Sequence, residues 1–387
     1  MKNLASALCR ALGMAALCAS AAHGADIIVS AQDGKFVRVD GVATFPEPAP
    51  RDSLVVLDAT RFPPVVKATV DVGLEHTVQG PPQAVAVTPD GKLAIVAAPT
   101  RYDYAAKKEL YDNFLQIVDL EASPPALIAK VDVGAHPNGL SINREGTLLL
   151  VAAHDGTVKV LTIEGKNVKL TGQVKVGEKR MSGISFTHDG KSAIVALRDE
   201  NGAAVLSIEG SAVTLTKEKI STGVNPYAID ISSDGRWAVI GNTGTGRTVD
   251  DADVVTLVDV SKRPFRAAQQ ISVSATPEGV AISPDGRWIA VSSMAGSNLL
   301  TTDPGRHKLG TVSLFAIQDG WATKVSEVPG GEAAQGVVFT QDSKTVIVQF
   351  DVERALALYA IREGKLVDTG ERIKLAAGPV SIRSMPR

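Results

Sequence analysis

The sequence predicts an all-β chain: a seven-bladed β-propeller of four-stranded antiparallel blades, its ring closed by the C-terminal strand joining the N-terminal blade. Three observations carry this. One motif recurs with starts at residues 82, 137, 181, 226, 277, 334 and 379, at the spacing of four-stranded blades. Each of the first six copies is followed by a second apolar run across an Asp-Gly-like turn, as in Pro277-EGVAISPDGRWIAVS. Every copy holds a small residue in one register: Ala84, Gly139, Gly183, Ala228, Gly279, Gly336 and Ser381.

In chain order, residues 1–24 stand apart from the repeats. Lys2 and Arg10 precede and flank a short alanine-rich apolar run, and Ala22-His23-Gly24 offers small residues before a cut at Ala25. The expectation is a cleaved signal peptide, a single domain over residues 25–387, and a periplasmic or secreted location. The run is too short to span a bilayer, and no later stretch is long and apolar enough. Both cysteines, Cys9 and Cys18, lie inside this segment. A chain cut at Ala25 then holds no disulfide, Cys-ligated zinc, iron–sulfur cluster or covalent haem. A lipid anchor at Cys18 is the lesser reading, because Ala15 and Leu17 fit a lipobox poorly.

Residues 25–73 supply the strands that the last motif lacks. Ala25-DIIVSAQD reads as a second strand, Ser53-LVVLDAT as a third and Val66-KATVDVG as a fourth. Pro379-VSIRS then closes the ring as their innermost partner, which protects sheet edges that would otherwise invite aggregation. In the six intervening units, runs such as Thr147-LLLVAAHD and Lys191-SAIVALRD are Val- and Ile-rich and too short for typical helices. They read as strands buried on both faces. A third strand follows, as in Gly156-TVKVLTIEG, and a more polar fourth, as in Val168-KLTGQVKV. The small residue has a steric cause: innermost strands converge on the axis, where a large side chain would strike the next blade.

The carriers Pro82-QAVAVTPDGKLAIVA and Pro277-EGVAISPDGRWIAVS resemble the YVTN-repeat and lactonase-like family of seven-bladed propellers, and the resemblance covers essentially all of residues 25–387. It implies the fold but does not single out a function. That architecture serves 6-phosphogluconolactonases, 3-carboxymuconate-cyclising enzymes, the heavy subunit of methylamine dehydrogenase, and exported proteins with no assigned chemistry.

The residue before each small position is expected to ring the mouth of the central channel. That ring reads Gln83, Asn138, Ser182, Tyr227, Glu278, Gln335 and Val380. Just upstream come His136 and Arg180, and the joins between second and third strands add His154 and Arg198 on the same face. Of these, Glu278, His136 and Arg180 are the candidates for catalysis. Gln83, Asn138, Ser182, Tyr227, Gln335, His154 and Arg198 are candidate ligand contacts, against the plainer reading of a hydrated channel mouth. Three long joins decorate this rim: Thr100–Asn113, Asn242–Asp253 and Ser297–Leu309. In the first, Ala106, Leu110 and Phe114 are spaced for one stripe of a short helix. Long insertions in repeat folds commonly mark the working face.

A net charge of −2 removes the basic footprint of a nucleic-acid binder. No phosphate loop, nucleophile elbow or His-Glu-x-x-His is present. Asp250, Asp251 and Asp253 read as a solvated loop before they read as a calcium site. No cofactor and no metal are expected. The reading favoured by the residues is an exported propeller binding a small ligand or a periplasmic protein partner at the channel mouth, without chemistry of its own. The alternatives are a lactonase-type hydrolase or cycloisomerase, with Glu278 as base and Arg180 and His136 holding a carboxylate or oxyanion, and a heavy-chain-like subunit of a periplasmic dehydrogenase.

Overall fold

The computed structural model describes residues 26–246 and 253–386, so the expected signal segment with both cysteines, and Asp250 and Asp251, lie outside the described residues. Among the described residues, seven four-stranded antiparallel sheets form the blades of a propeller. Blade 1 runs outward from Gly378–Ser384 through Ile27–Asp33 and Ser53–Asp58 to Val65–Val70. The C-terminal strand is therefore innermost beside the N-terminal one, with Ile28 opposite Ser384 and Ala31 opposite Ser381. Blades 2 to 7 follow in chain order, their innermost strands being Val85–Val87, Pro137–Ile142, Ile184–Phe186, Pro226–Ile231, Pro277–Ile282 and Ala334–Phe339.

The turn between first and second strands is built alike in blade after blade. In blade 2 the Thr88 hydroxyl donates to Asp90 (2.6 Å) and accepts from the Leu93 N–H (3.0 Å), while Gly91 takes the left-handed φ of 70° that closes the hairpin. Ser232 with Asp234, and Ser283 with Asp285, repeat the arrangement.

Second strands such as Leu148–Ala153 and Ser192–Leu197 are buried along their whole length, whereas fourth strands such as Asn167–Lys175 are largely exposed. The core is a set of inter-blade layers. Leu93, Ile95 and Ile117 of blade 2 meet Leu140, Leu149 and Leu161 of blade 3, all but fully buried. Each such side chain contributes about 1.5–3 kcal/mol relative to exposure.

The small register acts as expected. A Cβ at Gly139 would strike the Ser182 carbonyl, one at Gly183 the Tyr227 carbonyl, and one at Gly279 would lie 2.7 Å from the Gln335 carbonyl. In each case the obstacle is backbone of the following blade, which cannot give way as a side chain could.

Two departures matter for the rim. The segment expected to carry a short helix is a β-hairpin instead, Thr100–Asp103 with Lys108–Tyr111. The alternation of Tyr102 and Tyr104 outweighs the helical stripe, because Tyr102 stacks on Phe45 and the Tyr104 hydroxyl donates to the Pro46 carbonyl, both in the blade 1 insertion. The second departure is an insertion in blade 1, residues 34–52, which carries its own hairpin of Val37–Val39 and Val42–Thr44.

Candidate functional site

The blade 1 insertion forms a fixed canopy over the mouth. Its base is a buried ion cluster in which Lys35 Nζ donates to Asp33 (3.1 Å), to Asp52 (2.9 Å) and to the His76 carbonyl. Burial outweighs the lysine and raises Asp33 to about 6, and burial lowers His76 to about 4, leaving its imidazole neutral. On one side Phe45 stacks on Tyr102 of the blade 2 hairpin at 3.9 Å, and the Tyr104 hydroxyl donates to the Pro46 carbonyl (2.7 Å). On the other side the turn reaches the long loop of blade 6. There Gly41, at a φ of 81°, sits so close to the Leu299 carbonyl that no Cβ would fit. Arg38 donates to the Asn298 carbonyl (3.2 Å) and the Thr301 N–H donates to the Asp40 carbonyl (3.3 Å).

Beside this canopy lies a cavity of about 310 Å³ lined by Arg38, Arg180, Arg198, Tyr227, Glu278 and the loop glycines of blade 5, among others. Four sequence candidates, Arg180, Arg198, Tyr227 and Glu278, thus share one space. Arg198 opens a single 3-10 turn, Arg198–Glu200, at the end of the second strand of blade 4. Its guanidinium lies over the Tyr227 ring at 4.4 Å, and the Tyr227 hydroxyl donates to the Gly80 carbonyl on the far side of the channel (2.7 Å). Arg180 and Arg198 approach Asp199 only at 3.5 and 3.9 Å, beyond a well-formed charge-assisted hydrogen bond. Arg180 Nε, Arg198 Nε and Nη1, and Arg38 Nε are buried without a hydrogen-bond partner. Buried donors of this kind are costly unless something accepts from them.

Glu278 is the acid of this cavity. Among the described residues its carboxyl is influenced by burial and by the charges of Arg198 and Arg38, with no side-chain hydrogen bond. Burial raises its carboxyl to about 7, against the opposing pull of Arg198 and Arg38. Two cavity residues also hold strained backbone: Asn225 and Thr276 take φ values of 52° and 57°. Both are fixed through their N–H groups, which donate to Asn201 Oδ1 (2.9 Å) and to Asp253 Oδ2 (2.7 Å) respectively. Non-glycine residues held there cost about 1–3 kcal/mol each and recur at ligand clamps.

The remaining candidates fall into two groups. His136 and His154 do meet, with ring centroids 4.5 Å apart, and Tyr111 of the blade 2 hairpin packs against both. His136 Nδ1 donates to the Asp112 carbonyl (2.8 Å), which leaves Nε2 as the lone-pair nitrogen. Burial, with Arg180 nearby, depresses both imidazoles, His154 to about 3, so both are neutral at pH 7. This pair does not line the cavity that holds Glu278.

Gln83, Asn138, Ser182 and Gln335 are buried and each makes a side-chain hydrogen bond to backbone, although Asn138 Oδ1 has no partner. The Gln83 amide spans the channel, donating to the Ile229 carbonyl and accepting from the Ile229 N–H (2.7 Å). Asn138 donates to the Met181 carbonyl, Ser182 to the Pro226 carbonyl, both at 2.7 Å, and Gln335 to the Ala333 carbonyl (3.3 Å). Val380 is fully buried. Much of the polar ring therefore ties blade to blade.

Arg38 was not legible in the repeat, because the insertion that carries it belongs to no register. The signal in the sequence is the length of the join over residues 34–52, longer than Thr100–Asn113, Asn242–Asp253 or Ser297–Leu309. Among the described residues no group of three or more His, Cys, Asp or Glu side chains is placed to hold a metal ion, and no helix is long and apolar enough to cross a membrane.

No protein family model matches the chain, and no curated protein matches it. Solved structures do resemble it. A "putative 6-phosphogluconolactonase" from Bacteroides fragilis superposes with a TM-score of 0.69 at 15% identity, covering 95% of this chain and 99% of that one. A functionally unknown protein from Desulfotomaculum acetoxidans gives 0.65 at 12% identity over 93% and 98% of the two chains. Kuenenia stuttgartiensis hydrazine synthase gives 0.56 at 18% identity over 75% and 79%. At these identities the likeness is one of fold, and the chain is a seven-bladed β-propeller on its own topology.

Proposed function

We propose that this propeller binds a small anionic ligand, a carboxylate or a chemically similar oxyanion, in the mouth cavity between Arg38, Arg180 and Arg198. The observation that carries this is the set of buried guanidinium N–H groups that lack acceptors around one cavity. Arginine forks match a carboxylate or oxyanion geometrically, and each charge-assisted bond is worth about twice a neutral one. A small ligand is favoured over a protein partner, because the canopy confines the mouth to about 310 Å³. The proposal retains the exported location expected from residues 1–24.

The test is a thermal-shift titration with L-tartrate, D-gluconate and sulfate, alongside Arg180→Ala and Arg198→Ala. An anion at about 100 times its Kd stabilises the native state by about 2.7 kcal/mol. Either substitution is expected to abolish the rise. A rise that survives both substitutions would place the anion elsewhere, and no rise with any anion would reject the reading.

One feature supports a second reading, hydrolysis of a lactone. A carboxyl near 7 is suited to accept a proton from water and return it to a leaving alkoxide, with the guanidinium groups stabilising the oxyanion. Turnover of a lactone panel, lost in Glu278→Gln, would establish it. Ligand-induced stabilisation without turnover would leave binding as the function. The "putative 6-phosphogluconolactonase" neighbour agrees with this second reading at the level of fold.

A further inference from the structure

We infer that the mouth cavity takes up its anion together with a proton, which is held at the Glu278 carboxyl. This rests on the anion-binding reading above and adds a thermodynamic linkage to it.

Glu278 shares its cavity with Arg38 from the canopy, Arg180 and Arg198 from blade 4, and Tyr227 from blade 5. None of the three guanidinium groups comes within ion-pair distance of its carboxyl. Arg38 Nε, Arg180 Nε, and Arg198 Nε and Nη1 lack acceptors, and Glu278, which shares their cavity, does not supply them. An oxyanion placed among them accepts from the arginines. It also meets the half-buried Glu278 carboxylate as a like charge inside a cavity where repulsion is screened less than in bulk water. Protonation removes that repulsion and turns the carboxyl into an O–H donor aimed at the same ligand.

The electrostatics run in the same direction. In the free protein Arg198 and Arg38 partly offset the burial that raises Glu278. An anion that pairs with those arginines cancels their pull, so the carboxyl rises further and a proton binds. Arg38 is itself faced by Asp351, Glu332 and Arg306, and burial raises Asp351 to about 7, so Asp351 is the rival proton acceptor. Asp33, at about 6, faces Asp351 from the canopy base. His136 and His154, both depressed, stay neutral, and burial holds Tyr227 protonated.

The experiment is titration calorimetry of the chain with L-tartrate, and with sulfate in parallel. Both anions are fully ionised between about pH 6 and pH 8. Measurements at about pH 7.5 in two buffers of unlike ionisation enthalpy give the protons exchanged. The expected result is uptake of about half a proton or more, with Kd weakening towards tenfold per pH unit above about pH 7. Glu278→Gln is expected to bind with no uptake and a flat pH profile.

Binding by the native chain without proton uptake would overturn the inference while leaving anion binding intact. Uptake that persists in Glu278→Gln would also overturn it, by moving the proton to Asp351 or Asp33. Binding of neither anion would reject both readings together. The buffer comparison on the native chain stands by itself if the variant does not fold.

Discussion

Removal of residues 378–387 is expected to unfold the whole ring. The strand lost, Gly378–Ser384, is the innermost member of blade 1 and pairs along its length with Ile27–Asp33. Val380 and Ile382 are at most 1% exposed, and Ile382 packs with Ile28, Leu57 and Ile347. Their burial is worth about 1.5–3 kcal/mol each. The Ile382 N–H donates to the Pro82 carbonyl of blade 2 (2.9 Å), and Gln349 of blade 7 donates to the Ser381 carbonyl (2.9 Å). These bonds add about 1 kcal/mol apiece. The Arg383–Asp230 pair at 3.2 Å reaches across the channel to blade 5. The sum is of the same order as the whole stability of an ordinary domain, about 5–15 kcal/mol. The deletion also bares the buried edge of Ile27–Asp33 for aggregation. Ile382→Ala is the graded version and is expected to cost about 2–5 kcal/mol. Urea denaturation followed by tryptophan fluorescence, with size-exclusion chromatography, measures both. A truncated chain that stays monomeric with an unchanged midpoint would refute the closure argument.

Three further outcomes follow from particular contacts. Gly183→Ala is expected to cost about 1–3 kcal/mol, because its Cβ meets the Tyr227 carbonyl, whereas Gly172→Ala, with open space around it, should leave the urea midpoint nearly unchanged. Asp351→Asn should stabilise the fold at pH 8. Burial raises the folded carboxyl to about 7, above an unfolded value of about 3.9, so its ionisation penalises the native state fully above pH 7 and not at all below about pH 4. Melting curves of variant and native chain should therefore converge towards pH 4, and a constant offset at every pH would contradict that cause. Phe45→Ala removes the 3.9 Å stack on Tyr102 and about 0.5–1.5 kcal/mol of canopy docking, read as faster hydrogen exchange over residues 34–52. Unchanged exchange there would mean that the ion cluster and the remaining contacts to Tyr104, Asn298 and Thr301 hold the canopy without the stack.

What the sequence made legible follows from where geometry is fixed locally. Gly139, Gly183 and Gly279 announce convergence on the axis, because the clash they avoid is with backbone that every blade places alike. The same register told which face Arg180, Arg198, Tyr227 and Glu278 would share, and the cavity holds all four. It could not place Arg38, whose position depends on Phe45 finding Tyr102 and Gly41 finding Leu299, two contacts between insertions with no common register. Nor could the helical stripe of Ala106, Leu110 and Phe114 foresee that Tyr102 would be claimed as a stacking partner, which draws the segment into a hairpin. Gln83 and Glu278 occupy one ring and are alike in polarity. Yet the Gln83 amide donates to and accepts from Ile229 across the channel, while Glu278 stands beside guanidinium groups of which Arg38 Nε, Arg180 Nε, and Arg198 Nε and Nη1 lack acceptors. A polar residue in the ring register marks where the chain meets the axis. Donors and acceptors that are buried together, and still fail to satisfy one another, mark where the chain meets a ligand. By that criterion the anion site proposed above belongs on the Glu278 side of the mouth, under the canopy, rather than to the ring as a whole.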